Sequence, residues 1–351
     1  MLKRAMLVVG AILMLVIGLS INAQEGITLT VVTYDSFAIS EDVIAEFEDK
    51  TGTTLEFVLL SDAGVMVNQA ILRRNNPIGD IMYGVDNTFL SRALENEIFT
   101  PYEADGLEFV PDEFELDQDE FRVTPVTYGD VCLNFDRAYF MENELDPPDN
   151  LLDLTAPQYR GLLVVQNPAT SSPGLAFLLT TIAEFGEEGD YTYLDFWRDL
   201  EANDVLIVDG WTEAYYGEFS LAEDGDRPLV VSYASSPPVE VLFADPQPEE
   251  APTAAIVDDG TCFRQIEFAG ILEGADHVEE AQQFIEFLLG LSFQEDLPLQ
   301  MFVFPVNEEA ALPDLFVEYA TIPENPASVD YELINENRER WLRSWTQEIL
   351  R

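Results

Sequence analysis

Three observations predict an α/β protein of two lobes that close like a clamshell, each built on a mostly parallel sheet with helices on both faces. Short β-branched runs alternate with stretches of helical spacing from residue 27 onward. The runs end in polar turns that carry aromatic residues, the position at which such sheets hold ligands. Two extended segments, near 128–135 and 261–269, interrupt the alternation, and each contains one cysteine. These segments are expected to be the hinge strands. On this reading residues 27–127 and 267–306 form one lobe and 128–266 the other, with the helices of 307–351 left to either.

Gly26 to Thr33 reads as the first strand and leads into Tyr34-Asp35-Ser36-Phe37. Val43, Ile44 and Phe47 mark a helix over Glu41 to Lys50, and Thr53 to Leu60 is the next strand. Ser61-Asp62-Ala63-Gly64 caps a helix running to about Arg74, and Gly79 to Tyr83 is a third strand ending in Gly84-Val85-Asp86-Asn87. Pro101 to Glu120 is an acidic surface loop. A second series follows: extended 123–135, strand 161–165, a helix after Pro173, helix 190–202, strand 205–209, a helix from Thr212, strand 229–233 and a helix after Pro237. Ala244 to Asp259 is proline-rich and acidic and is expected to lack regular structure. Glu279 to Leu289 is an amphipathic helix, and Leu333 to Leu350 a terminal one with Ile334, Trp341, Trp345 and Ile349 on one face.

Met1 to Ala23 has the form of a secretory signal: Lys3 and Arg4, then an apolar run over Ala5 to Leu19, then Ala23 as a cleavage point. An uncleaved membrane anchor is the alternative. The expected location is the periplasm or another extracytoplasmic space, where Cys132 and Cys262 should pair; two separate buried thiols are the other possibility. The net charge of −51 excludes nucleic acid and anionic membrane as partners and points to a salty or acidic habitat.

No catalytic set stands out. His277 is the single histidine, in a polar stretch that reads as solvated surface, so zinc and Cys/His nucleophilic sites lack their residues. With 67 acidic residues, any chosen carboxylate pair is uninformative as a glycosidase signal. The expectation is therefore no enzyme and no metal or cofactor. The polar turns say more. Ser172 stands where a helix N-cap belongs, with Pro173 at the first helical position, so Ser171 and Ser172 offer hydroxyls beside free N–H groups. Asp209-Gly210-Trp211 places a tryptophan at a strand end, and Ser232-Tyr233-Ala234-Ser235-Ser236-Pro237 repeats the strand, hydroxyl and proline arrangement. Trp211 and Tyr233 read either as core or as ligand wall. Aromatic rings beside carboxylates suit a flat cation.

These stretches, with Thr33-Tyr34-Asp35-Ser36-Phe37, Asp62-Ala63-Gly64, Gly84-Val85-Asp86-Asn87, Thr170 to Leu175, Trp211-Thr212-Glu213-Ala214-Tyr215 and the tail Arg340-Trp341 to Trp345, occur in order over the mature chain. In that order the chain resembles the thiamine-binding periplasmic proteins of ABC importers. The resemblance implies a type II periplasmic-binding fold that closes on thiamine or a thiamine phosphate and passes it to a membrane permease and its ATPase subunit, acting as a monomer. It places the ligand rings against Tyr34 and Trp211. It assigns polar and backbone contacts to Ala63, Gly64, Ser171, Ser172, Tyr233, Ala234, Ser235 and Ser236. One departure is Val239, where better-known members have a stacking tyrosine. Ferric-binding relatives suggest the other reading, with Tyr215 and Tyr216 as phenolate ligands; an exported hydrolase is a third, for which no residues are nominated.

Overall fold

A computed structural model describes residues 26–350; the leader segment 1–23 lies outside these residues. Eleven strands are described: β1 (Thr28–Tyr34), β2 (Thr54–Leu60), β3 (Ile81–Asp86), β4 (Phe99–Thr100), β5 (Thr124–Asp136), β6 (Leu163–Gln166), β7 (Leu206–Val208), β8 (Leu229–Tyr233), β9 (Thr253–Ile256), β10 (Phe263–Leu272) and β11 (Phe304–Pro305). The main path runs β2-β1-β3-β10-β5-β8-β6-β7. β1 pairs in parallel with β2 and β3, and β6 pairs in parallel with β7 and β8. Between these two groups lie β5 and β10, antiparallel to each other from Phe263↔Val131 to Ala269↔Thr124.

Two separate, mostly parallel sheets were expected; the structure has one continuous mixed sheet. The crossing strands cause the difference. A chain that leaves one half and later returns must run the two crossings in opposite directions, so they pair with each other antiparallel and join the halves edge to edge. β10 shifts register between Glu267 and Phe268, at the join itself.

Helices cover the sheet where the apolar spacing placed them, at Glu41–Thr51, Ala63–Leu72, Ser172–Phe185, Tyr193–Ala202 and Val278–Leu289. Three details differ. The residue at the N-cap of the 172–185 helix is Ser171, and Ser172 already has helical geometry, with Pro173 behind it in the first turn. The expected helix from Thr212 is one α-turn, Trp211–Glu213, widening into a π-turn at Ala214–Glu218. The stretch read as irregular holds β9, an edge strand against β5 flanked by prolines at 246, 248 and 252.

The terminal helix Tyr331–Ile349 docks on both halves. Its Trp345 meets Trp197 edge to face, with ring centroids 5.3 Å apart, while Arg338 donates to the Thr88 carbonyl (3.0 Å) and lies over the Phe89 ring. Trp197, Trp341 and Trp345 are fully buried, and truncating one such ring costs on the order of 3–5 kcal/mol. Cys132 and Cys262 form a disulfide that ties β5 to the start of β10.

Candidate ligand-binding cleft

A cavity of about 370 Å³ opens where the two halves meet. From the first half, Tyr34 projects from the end of β1. The Cδ1–Cε1 edge of its ring lies against Gly84, which has φ +97°; a β-carbon there would overlap that edge, so the ring can take this position only beside glycine. Asp35 and Ser36 continue the wall. Asp62 caps the 63–72 helix by accepting from Ala63 N (2.8 Å). Gly64 lets that helix approach the Thr170 carbonyl and the Phe89 ring, both within 3 Å of a hypothetical β-carbon.

From the second half come Ser172, Pro173, Trp211, Thr212, Tyr233, Ser236 and Val239. Trp211 stacks on Tyr215 (5.1 Å, interplanar 14°) and donates through Nε1 to Ser232 Oγ (2.9 Å), which in turn contacts Ser236 Oγ (2.9 Å). The hydroxyl–proline repeat noted in the sequence is thus a chain that orients the tryptophan. Tyr233 donates to Gln265 Oε1 (2.9 Å) on β10.

Contacts cross the gap between the halves. Ser172 N donates to Asp62 Oδ1 (3.2 Å) and Ser172 Oγ to the Asp86 carboxylate, while Thr212 Oγ1 donates to Asp35 Oδ1 (3.1 Å). The segment Gln300–Val303 closes one side; Phe302 takes a positive φ of 56° and its carbonyl accepts from Ser235 Oγ (2.5 Å). The conformation described is the one in which both walls touch.

The electrostatics are one-sided. Asp35, Asp62 and Glu267 line the cavity, and Asp86 is buried behind Ser172; no Lys, Arg or His is among the lining residues. Burial lifts Asp62 to about 7, although the amides of Ser172 and Ala63 and the Ser171 hydroxyl pull it back, and Asp86 adds repulsion. Burial likewise lifts Glu267 to about 7, opposed by the Thr127 and Tyr34 hydroxyls and reinforced by Asp86 and Asp62. Asp86 is also raised by burial, against hydrogen bonds from Ser172 and Thr88. Asp62 and Glu267, raised this far in a wall that holds no basic side chain, form a receptor short of positive charge.

Of the residues named from sequence, Tyr34, Ala63, Ser172, Trp211, Tyr233 and Ser236 line the cavity. Gly64 and Ser171 are buried just behind it, in packing and capping positions. Ala234 packs against the disulfide, and Ser235 is turned toward the Phe302 carbonyl. Val239 does stand in the wall without a ring, and Phe243 and Phe302, edge to face at 6.1 Å, supply aromatic surface close by. Asp62, Glu267, Gln265 and the 300–303 segment were not singled out as site residues. Only Asp62 carried a signal, its capping position; the others come from the hinge and from a distant part of the chain.

Tyr215 and Tyr216 both line the cavity, but nothing supports them as a phenolate pair. The Tyr215 hydroxyl donates to Glu240 Oε1 (2.7 Å), and burial with that carboxylate pushes its ionisation well above the usual range. Its ring serves as the shelf for Trp211.

Comparison with known proteins agrees with this architecture. The thiamine-binding periplasmic protein of Brucella suis biovar 1 (strain 1330) is 28% identical over 341 residues, covering 94% of each chain. Its counterpart from Salmonella typhimurium is 27% identical over 328 residues, covering 92% of this chain and 94% of the other. Among solved structures, a periplasmic thiamin binding protein superposes with TM-score 0.79 at 27% identity, covering 92% of this chain and 96% of that one. The periplasmic binding protein P5PA, at 17% identity and TM-score 0.76, shares the fold, which is that of the type II periplasmic binding proteins. The family described as bacterial extracellular solute-binding protein matches residues 76–323, and the chain belongs to it.

Proposed function

We propose that the cleft binds thiamine, free or as a phosphate ester, and that the closed protein delivers it to a membrane permease driven by a separate ATPase. The carrying observation is the lining itself. Two aromatic side chains, Tyr34 and Trp211, stand on opposite halves of a cavity whose charged groups are all acidic. Thiamine has two flat rings, one permanently cationic, and cation–π contact in a desolvated site contributes about 1–2 kcal/mol per ring. Relatives whose names state thiamine binding, aligned over nearly the whole chain, support the same ligand. The contacts across the gap support closure by population shift: a ligand touching both walls favours the closed form. In this reading the protein is a periplasmic carrier without catalytic activity, freed from its leader at Ala23, and works as a monomer.

Calorimetric titration of the mature protein with thiamine, in moderate and in high salt, tests the proposal. Saturable one-to-one binding is expected, and Trp211→Ala should weaken it at least tenfold, about 1.4 kcal/mol. Absence of heat in both salts from folded protein would end the thiamine reading.

A further inference from the structure

Glu267 is a buried carboxyl group in the cavity with one oxygen that its neighbours leave unused. It is 8% exposed, lines the cavity and sits at the register shift where β10 passes from one half to the other. Tyr34 and Thr127 both donate to its Oε2, at 3.1 and 2.8 Å; Oε1 has no donor among the described residues. The titratable groups around it are Tyr34 from β1, Tyr83 and Asp86 from β3, Tyr233 from β8, and Asp62 from the turn before the 63–72 helix. None of them is a cation. The nearby guanidiniums are engaged elsewhere: Arg264 grips Asp130 at 3.0 and 3.1 Å, and Arg338 holds the Thr88 carbonyl and Glu339. A carboxyl group buried to this degree ordinarily has a positive partner. Among the described residues no cluster is arranged to hold a metal ion, so the missing charge fits an organic cation.

Resting on the thiamine reading above, we propose that Glu267 is the counter-ion of the ligand's fixed positive charge, and so the residue that makes the cleft prefer a quaternary-nitrogen ring to a neutral ring of the same shape. A cation laid on the Tyr34 face reaches the carboxylate that the Tyr34 hydroxyl already orients. Ionising Glu267 in the empty cleft is opposed by burial and by Asp62 and Asp86. An arriving cation reverses that balance, so binding expels a proton below about pH 7 and affinity climbs as pH rises through that region. Asp62 titrates in the same range and contributes in the same direction, so removing Glu267 flattens this dependence without abolishing it.

The test compares thiamine with its neutral deaza analogue, in which carbon replaces the charged ring nitrogen, on wild type, Glu267→Gln and Glu267→Asp at pH 6 and 8. Wild type should prefer thiamine at least tenfold at pH 8 and by less at pH 6. E267Q should lose at least tenfold of that preference while holding the deaza compound nearly as well as wild type does; E267D, still charged, should keep most of it. Equal binding of the two compounds by wild type, or an undiminished preference in folded E267Q, overturns the role of Glu267 and leaves the thiamine reading standing. Folded wild type that binds neither compound overturns the thiamine reading, and this inference with it. Should E267Q fail to fold, Glu267→Met, uncharged and of similar size, takes its place in the same comparison, with the same outcomes deciding.

Discussion

Asp62 accepts from amides at the starts of two helices, Ala63 N on its own side and Ser172 N across the gap, and does so with a single oxygen. Its carboxyl group nevertheless stays protonated up to about pH 7, because burial outweighs those bonds. The linkage follows in sign. Between the unperturbed 3.8 and about 7 the folded state keeps a proton that the unfolded state releases, so this group's stabilising contribution is full at acid pH and is lost as pH rises to 7. Asp62→Asn retains a capping oxygen and removes the titration. Thermal melts of the ligand-free protein should show D62N gaining on wild type as pH goes from 4 to 8; a pH-independent difference would remove Asp62 from this account. Nothing in the sequence set this residue apart as a charge carrier, since with 67 acidic side chains identity alone does not say which ones the fold buries. The aromatic residues were legible for the opposite reason. Tyr34, Trp211 and Tyr233 are few, and each stands where a strand hands over to a turn or helix.

At the level of elements, β5 and β10 carry the architecture. They are the longest run of pairing that touches both halves, and the disulfide clasps them across a sequence separation of 130. Closing a loop of that length removes unfolded-state freedom worth on the order of 4–5 kcal/mol in the chain-entropy treatment, and measured losses for native disulfides run about 2–5 kcal/mol. The double variant Cys132→Ser with Cys262→Ser should therefore lose about 2–5 kcal/mol in denaturant unfolding; a loss under ~1 kcal/mol would mean the ladder alone holds the crossings. The helices and the crossings were readable because their hydrophobic period and length are local properties. β9 was not, because its pairing is decided by the open edge of β5, and the prolines around it read locally as loop. The one-residue slip at Ser171 and Ser172 has a similar cause: either hydroxyl satisfies a capping pattern, and tertiary contact of Ser172 with Asp86 selects between them.

For the whole molecule, the expected two-lobed plan holds, but the halves are fused more firmly than the order of elements suggested. The sheet is continuous through the join, and the terminal helix, which the sequence left to either half, packs on both. A net charge of −51 on such a body is a standing self-repulsion. Raising salt from low concentration to about 1 M shortens the screening length to ~3 Å. The melting temperature of the ligand-free protein should rise steadily over that range, and a flat or falling response would detach the charge from stability.

The packing of the terminal helix has an optical consequence. Three of the four tryptophans, Trp197, Trp341 and Trp345, are sealed in one apolar block away from the cavity, and the fourth, Trp211, forms part of the cavity wall. In the folded protein, emission from the sealed three is a constant background, while Trp211 alone is in a position to be shielded or quenched by what enters. The expected readout is a change in tryptophan emission when the cavity fills, lost in Trp211→Phe.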